Sequence, residues 1–200
     1  MKSIWFRILG LGAAAGLLTF AGVALAQHQH HDRSDMHSSD MQSSDARSDM
    51  DTEQQVLSRM HDVNQMEISM GEMAMHKAHS KAVRDFANRL RKDHEANDRE
   101  VTSVAQRLGV DLRPTGPGTP EERAQADRDN RTQQRLESAH GRDFDREFVR
   151  AMAKGHDDVD RMLHRARNEV HDRRVRDLVN STIPAVEHHR NMARNLQSRV

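Results

Sequence analysis

The stretch that decides the fold is GVDLRPTGPGTPEERAQADRDNRTQQRLESAHGR, residues 109–142. Its first part holds three of the four prolines of the chain and three glycines, which predicts a loop as far as Pro120. Thr119 and Glu122 then fit the N-cap and N3 positions of a short polar helix, with Pro120 at N1, that lasts to about His140. The stretch is therefore a long connection that carries a short helix of its own.

Four long helices flank this connection, two before it and two after it. Apolar residues recur every three or four positions in each, and no segment shows strand alternation. The helices are predicted over about 52–79, 80–109, 143–170 and 173–200. A capping box opens the first at Thr52, and Ser80 caps the second. Because an up-down-up-down bundle needs only short loops, the long crossover predicts an all-α, ferritin-like four-helix bundle.

The amino terminus has the pattern of a secretory signal peptide. Lys2 and Arg7 form a basic region, Ile8–Val23 is apolar, and Ala24–Ala26 is a small-x-small cleavage site. The alternative, an uncleaved membrane anchor, is disfavoured because the apolar run is short for a span of ~20 residues. We expect a signal peptide over 1–26 and a periplasmic or secreted mature chain without stable membrane insertion.

Residues 27–51 consist of Ser, Asp, His and Met with almost no other apolar side chain. Such a segment buries too little apolar surface to offset the entropy of ordering, so we predict that it is disordered. Its histidines and methionines offer loose copper or nickel ligands, but a solvated tether is the simpler interpretation. The bundle domain is then predicted over 52–200.

Composition disfavours several classes of function. The chain carries 31 Lys and Arg against 31 Asp and Glu, and it has no Tyr and no Cys. Interspersed charges without aromatic stacking residues make nucleic acid an unexpected partner, and a disulfide framework is absent. No nucleophile elbow, phosphate loop or Ser/His/Asp order is visible. The sequence therefore names no catalytic residue and favours a non-enzyme while leaving the question open.

Each of the four predicted helices carries one metal-capable side chain near the middle of its apolar stripe. These are Glu67, His94, His156 and His189. At 1.5 Å per residue, Glu67 and His94 lie about 19 and 22 Å from the turn that joins their helices. His156 and His189 lie about 24 and 26 Å from theirs. Because the members of each pair are level, the four side chains are predicted to point into one interior volume.

Two interpretations of this constellation remain open. One Glu and three His suit Zn, Cu or Fe rather than Ca or Mg, which prefer oxygen ligands. A carboxylate-bridged di-iron site is disfavoured, since it needs two Glu-x-x-His motifs and only Glu137–His140 has that spacing. In the alternative, Glu67 and Asn97 hydrogen-bond the histidines in a structural polar layer. The first interpretation predicts a protein of metal handling or envelope stress, and the second a non-catalytic envelope structural or interaction protein.

Neighbouring residues give weaker signals. Met66, Met73 and His76 share one edge of the first helix and offer soft copper ligands, although methionine at helical spacing is more often packing material. Three residues adjoin the predicted ligands and are either their hydrogen-bond partners or solvated flanks: Asp93, Asp157 and His188.

Several ordered motifs resemble those of a known family. They are Glu67-Ile68-x-x-Gly71-x-x-Ala74, Phe86-Ala87 with Asp93-His94-x-x-Asn97, Gly141-x-x-Phe144-Asp145-x-x-Phe148 with His156, and Pro184 with His189 and Ala193. Together they are similar to the domain-of-unknown-function 4142 family, an exported bacterial group with a ferritin-like fold. The resemblance spans roughly 52–200, with Ile183 in place of the usual Leu. It implies the fold and export and supplies no settled activity.

Overall fold

The computed structural model describes residues 36–114, 116–117 and 119–200. Five helices occupy these residues: α1 Met36–Lys77, α2 Lys81–Leu108, α3 Pro120–Ser138, α4 Gly141–Glu169 and α5 Arg173–Gln197. Within the same residues the only β-type pairing is an isolated bridge between Ala78 and Gly141. The predicted all-α architecture is confirmed, with α1, α2, α4 and α5 as the four bundle helices and α3 on the crossover between the second and third of them.

The start of α1 differs from the prediction. The helix begins at Met36 rather than at Thr52, so residues 36–51, for which disorder is predicted, are helical and Thr52 is not an N-cap. Extending an existing helix adds a backbone hydrogen bond for each residue fixed, which lets a polar segment continue a helix that it would not nucleate. The chain divides into two compact units, 1–46 and 47–200. The predicted signal peptide and residues 27–35 lie outside the described residues.

The ends of the helices are satisfied partly by groups from other helices. Gly109 ends α2 as predicted, in the left-handed conformation with φ 67°, and its N–H donates to the carbonyl of Gln106. Ser80 occupies the predicted N-cap of α2, but its hydroxyl makes no capping bond. Instead the buried carboxylate of Asp145 on α4 accepts the backbone N–H groups of His79 and Ser80 at 2.9 and 2.7 Å. A long-range acid thus replaces the local cap.

Glu53 also binds the backbone before a helix at the other end of the bundle, where Asp172 supplies the local cap of α5. Its Oε1 accepts the backbone N–H groups of His171 and Asp172 at 2.7 and 2.6 Å, just before α5 begins. Glu53 and Asp145 are each only 1% exposed to solvent. A buried carboxylate is expensive unless it is hydrogen-bonded, and these two carboxylates tie the helix pairs together through the bonds that they accept.

A polar layer divides the apolar core into two clusters. One cluster is built around Phe86, Phe144 and Phe148, and the other around Leu57, Val101 and Val179. Along every bundle helix the buried apolar residues of one cluster give way to a buried polar residue and then to the other cluster. The buried polar residues at this level are Asn64, Glu67, His94, His156 and His189. The interruption falls where the sequence placed one ligand-type residue in each stripe.

The crossover helix α3 is attached mainly near its carboxyl end. Leu136 is buried in the phenylalanine cluster, and Lys77 of α1 donates to the carbonyls of Leu136 and Glu137 at 2.7 and 2.6 Å. A lysine on the last carbonyls of a helix satisfies acceptors that have no intrahelical partner. Among the described residues, no helix combines the length and the apolar character that a bilayer span requires.

Candidate metal centre

The structure buries all four predicted ligands in the middle of the bundle, but it gathers only the three histidines within 4.8 Å of one another; Glu67 lies beside His156 and outside that group. Glu67 lies on α1, His94 on α2, His156 on α4 and His189 on α5, and none is more than 6% exposed. The centroids of the three imidazole rings lie 5.3 to 5.8 Å apart. Each histidine offers a nitrogen within 4.8 Å of the nitrogens of the other two. The three histidines, distant in sequence, therefore form one compact triad.

His94 is held by a chain of side-chain amides that fixes its tautomer. Its Nδ1 lies 2.9 Å from Asn64 Oδ1, while Asn64 Nδ2 donates to Asn97 Oδ1 at 2.9 Å. Asn97 Nδ2 in turn donates to the hydroxyl of Thr182 at 2.9 Å. Because Asn64 presents its oxygen to the ring, Nδ1 of His94 carries the proton and donates it. The other nitrogen, Nε2, is left with a lone pair.

The other two histidines are fixed in the same way by acceptors. His156 Nδ1 donates to the backbone carbonyl of Met152 at 2.8 Å, and His189 Nε2 donates to Asp93 Oδ2 at 2.9 Å. A carbonyl and a carboxylate only accept, so each ring must place its proton on the bonded nitrogen. The lone pairs therefore sit on Nε2 of His156 and Nδ1 of His189. An acceptor behind each imidazole is the arrangement that orients metal-binding histidines.

In each of the four predicted ligands, one side-chain nitrogen or oxygen atom is buried and has no hydrogen-bond partner. Glu67 Oε2, His94 Nε2, His156 Nε2 and His189 Nδ1 make no hydrogen bond, and each is almost fully inaccessible to solvent. Buried polar atoms are nearly always paired, and an unpaired one costs about 1–3 kcal/mol. Three imidazole lone pairs on adjacent rings also repel one another. The arrangement stabilises a cation placed among them.

Electrostatics keep His94 and His189 neutral. Burial, with the neighbouring charges of His156 and His189, lowers the pKa of His94 to about 3. Burial likewise lowers the pKa of His189 to about 4, against the opposing effect of the hydrogen bond that its ring donates to Asp93. At neutral pH both rings are therefore free bases, the form that coordinates a metal.

The surroundings shift the pKa values of the two carboxyl groups, Glu67 and Asp93, in opposite directions. Burial raises the pKa of Glu67, with the nearby charge of His156 acting against the rise. Burial also raises the pKa of Asp93, but the hydrogen bonds from His189 and Arg89 outweigh it and hold that pKa below its usual value. Glu67 Oε1 lies 3.9 Å from His156 Nδ1. Asp93 is thus an anionic acceptor at the edge, whereas Glu67 is a buried acid that a cation would ionise.

The four residues that the sequence predicts as ligands are all buried, and part of the hydrogen bonding around them was not predicted. Asn64, not the expected Asn97, bonds a histidine directly, and its position three residues before Glu67 on the same helix was the available signal. Asp93 is a hydrogen-bond partner of a predicted ligand, as the spacing allowed. Asp157 instead pairs with Arg194 at 2.8 Å, and His188 is exposed. The carbonyl of Met152 carries no sequence signal at all.

A second group of metal-type side chains lies on the surface of α4 and α5. Asp160, His164 and Glu187 place ligand atoms within 4.8 Å of one another and are half-buried. The guanidinium of Arg190 lies 3.2 Å from Asp160 Oδ2 and already supplies a positive charge there. This surface group is therefore neutralised in a way that the histidine triad is not.

Of the methionines that the sequence placed on one edge of α1, Met66 and Met73 are partly buried against the core. His76, which shares that edge, is exposed. The three residues of this edge therefore do not form a cluster of their own, since the methionines pack inward and the histidine is exposed.

Solved structures of CopM share this fold. The Cu(I)-bound form aligns with a TM-score of 0.59 at 19% identity, the Ag-bound form with 0.57 at 20%, and the Cu(II)-bound form with 0.56 at 21%. Each alignment covers 74% of this chain and 96–97% of the CopM chain. At these identities the likeness establishes the fold alone. Among curated protein sequences no match is found.

A family model described as "Domain of unknown function (DUF4142)" matches residues 38–196. The match spans the four bundle helices and the crossover, and it includes all four residues of the candidate centre. It confirms the resemblance carried by the ordered motifs from Glu67 to Ala193. This chain belongs to the domain-of-unknown-function 4142 family.

Proposed function

We propose that this protein binds one transition metal ion, Zn, Cu or Fe, between Glu67, His94, His156 and His189. The observation that carries the proposal is the set of four buried, unpartnered ligand atoms, one from each bundle helix. Removing that many polar atoms from water without a partner is costly. One ion among the histidines would satisfy the three nitrogens, and Glu67 would have to move towards the triad to complete the ligand set.

The chemistry of these ligands favours the same class of ion. Three neutral imidazoles and one carboxylate match Zn, Cu and Fe, whereas Ca and Mg require oxygen shells. In a tetrahedral site with bonds of about 2.0–2.1 Å, ligand atoms lie roughly 3.3 Å apart. The triad nitrogens lie within 4.8 Å of one another, so they would approach by up to about 1.5 Å to reach that geometry. CopM, which shares the fold, has been solved in Cu(I)-, Cu(II)- and Ag-bound forms, and this supports a metal role for the bundle.

The proposal includes export and a role in metal handling or envelope stress. It rests on the apolar stretch Ile8–Val23 and the cleavage pattern Ala24–Ala26. The intact mass of the exported protein tests this part. A chain that begins at Gln27 supports export with cleavage, whereas a retained Met1 with stable membrane attachment overturns it.

The metal proposal is tested with the compact unit 47–200, which leaves out most of the His- and Met-rich segment. We expect Zn, Cu or Fe to raise its melting temperature, because an ion that binds only the folded state stabilises it. The shift should vanish in Glu67→Ala/His189→Ala. The matched control is Glu72→Ala/His188→Ala, which removes the same residue types from exposed positions on the same two helices.

The alternative function is a non-catalytic envelope structural or interaction protein whose polar layer fixes helix register. The chain of hydrogen bonds from His94 through Asn64 and Asn97 to Thr182 favours it, because such networks specify how helices pair. Under this alternative, none of the three metals shifts the melting temperature of the 47–200 unit. That result would end the metal proposal and leave the bundle.

A further inference from the structure

A cavity lies beside the candidate centre, enclosed by α1, α3 and α4. Its volume is about 70 Å³, and its wall includes Glu67 and three methionines, Met66, Met70 and Met152. One water molecule needs about 10–15 Å³ of such space, so the cavity admits an ion with a few waters.

Glu67 belongs both to this cavity and to the candidate centre. The residue lines the cavity, its Oε1 lies 3.9 Å from His156 Nδ1, and its Oε2 is buried without a partner. Gly155 lines the same junction, and a Cβ added there would stand 3.8 Å from Glu67 Oε1. The missing side chain at Gly155 therefore leaves space beside the carboxylate of Glu67.

Three thioethers around one cavity have a definite chemical preference. Methionine sulfur is a neutral, polarisable ligand that binds soft cations such as Cu(I), whereas imidazole also serves Zn and Fe. Met70 and Met152 are among the buried core residues, and Met66 packs against them. Methionine usually fills gaps in a core. Here three of them line a space that is also lined by Glu67.

The outer wall of the cavity is the polar part of α3. This wall consists of Gln125, Arg128, Asp129 and Thr132, none of which is buried. Among the described side chains of α3, the buried apolar one is Leu136, near the carboxyl end of the helix. A segment without buried apolar contacts opens at low free energy, so this wall is the one that can admit an ion.

We propose that the metal reaches the centre through this cavity, and that Met66, Met70 and Met152 favour a soft monovalent cation, Cu(I) or Ag(I), over Zn(II). The inference rests on the proposed function, since it assigns an access route and an ion class to the same centre. It adds the three thioethers, which the ligand set of one Glu and three His does not contain.

The selectivity is tested in the full chain with Ag(I) and Zn(II), each measured by competition against a chelator. The variant Met66→Leu/Met70→Leu/Met152→Leu conserves volume and removes the three sulfur atoms. The matched control Met60→Leu/Met75→Leu/Met162→Leu changes three core methionines that do not line the cavity. We expect Ag(I) affinity to fall at least tenfold in the first variant and not in the second, with Zn(II) affinity unchanged in both.

Two results would overturn the selectivity: unchanged Ag(I) affinity in the cavity variant, or an equal loss for Ag(I) and Zn(II). The single variant Met66→Leu, at a partly buried position, repeats the test with the least risk to folding. The route is tested with Gly155→Ala, which should slow Ag(I) loading severalfold while leaving the equilibrium affinity intact. An unchanged loading rate would overturn the route.

These results remain distinct from a failure of the proposed function. If wild type binds Zn(II) and loses it in Glu67→Ala/His189→Ala, the centre stands whatever the methionine variants do. If wild type binds neither ion at the triad, both the proposed function and this inference fall together.

Discussion

His189 on α5 donates its Nε2–H to Asp93 on α2 at 2.9 Å, and this bond leaves His189 Nδ1 buried with a free lone pair. One hydrogen bond thus joins two helices and decides which nitrogen of the ring keeps its lone pair. Replacing the carboxylate by an amide removes the charge that holds the ring in this tautomer.

Asp93→Asn should therefore weaken metal binding by about 10–100-fold, the usual effect of losing a partner behind a metal ligand. The control is Asp98→Asn, because Asp98 bonds His61 at 2.7 Å in a similar His–Asp pair away from the centre. Competition with a chromogenic chelator measures both variants. Equal affinity in wild type and Asp93→Asn would contradict the assigned role of this bond.

Asn64 should matter for stability even without metal. Asn64→Ala deprives both His94 Nδ1 and Asn97 Oδ1 of their partners in a buried layer. Leaving a buried polar group unsatisfied costs about 1–3 kcal/mol, so the free energy of unfolding should fall by at least that amount in urea titration. Asn191→Ala, at an exposed position of α5, should change it by less than about 0.5 kcal/mol. Equal effects of the two substitutions would refute the network.

The stability of the metal-free protein should fall on acidification below pH 6.5. The pKa values of His94 and His189 lie at about 3 and about 4 in the folded protein. The unfolded chain, with histidine pKa values near 6.5, binds protons first. The contribution of these two histidines to the free energy of unfolding is therefore fully present above pH 6.5, and it is lost as the pH falls from there towards 4. The expected loss between pH 7 and 4.5 is on the order of a few kcal/mol by urea unfolding.

Glu67 opposes this trend, because its raised pKa makes the folded state hold a proton that the unfolded chain has released above its ordinary value of 4.5. The Glu67→Gln background removes that opposing contribution and isolates the histidines. In the Glu67→Gln background, His94→Gln/His189→Gln should flatten the pH dependence of the free energy of unfolding. The exposed pair His76→Gln/His79→Gln should leave that dependence unchanged. A slope that survives the first pair would place the titrating groups elsewhere.

Gly71 should tolerate no side chain. A Cβ at this position would stand 3.0 Å from the carbonyl oxygen of Ala87 and 3.2 Å from Cβ of Arg91, where α1 and α2 approach closely. Because the nearest atom is backbone, it cannot move aside, and the strain should exceed the gain of about 1 kcal/mol in helix propensity. Gly71→Ala should lower the melting temperature. Gly116→Ala, where a Cβ meets nothing within 4 Å, is the control, and a stabilised Gly71→Ala would show that the helices can separate without cost.

The sequence by itself determined the helices and the level of the site. Apolar periodicity, the crossover with its prolines, and Gly109 at a helix end are local signals, because helix hydrogen bonds join residues four apart. One ionisable residue in each stripe, at matched distances from the turns, was enough to bring Glu67, His94, His156 and His189 to one layer. The predicted start of α1 at Thr52 was wrong, since the helix begins at Met36. Local sequence does not distinguish a disordered polar segment from one that extends an adjoining helix.

Only the tertiary structure decided which atoms meet. The caps from Glu53 and Asp145, the choice of Asn64 over Asn97, and the Met152 carbonyl behind His156 all join groups on different helices or depend on a rotamer. The contacts between helices are fixed by the rotation of one helix against another through a fraction of a turn, and apolar periodicity leaves that rotation free within the width of a stripe. The bond from His156 to the Met152 carbonyl lies within α4 and depends on the rotamer of the histidine. Those contacts also decide the tautomers that leave three histidine nitrogens with a free lone pair, so the sequence alone does not predict these tautomers.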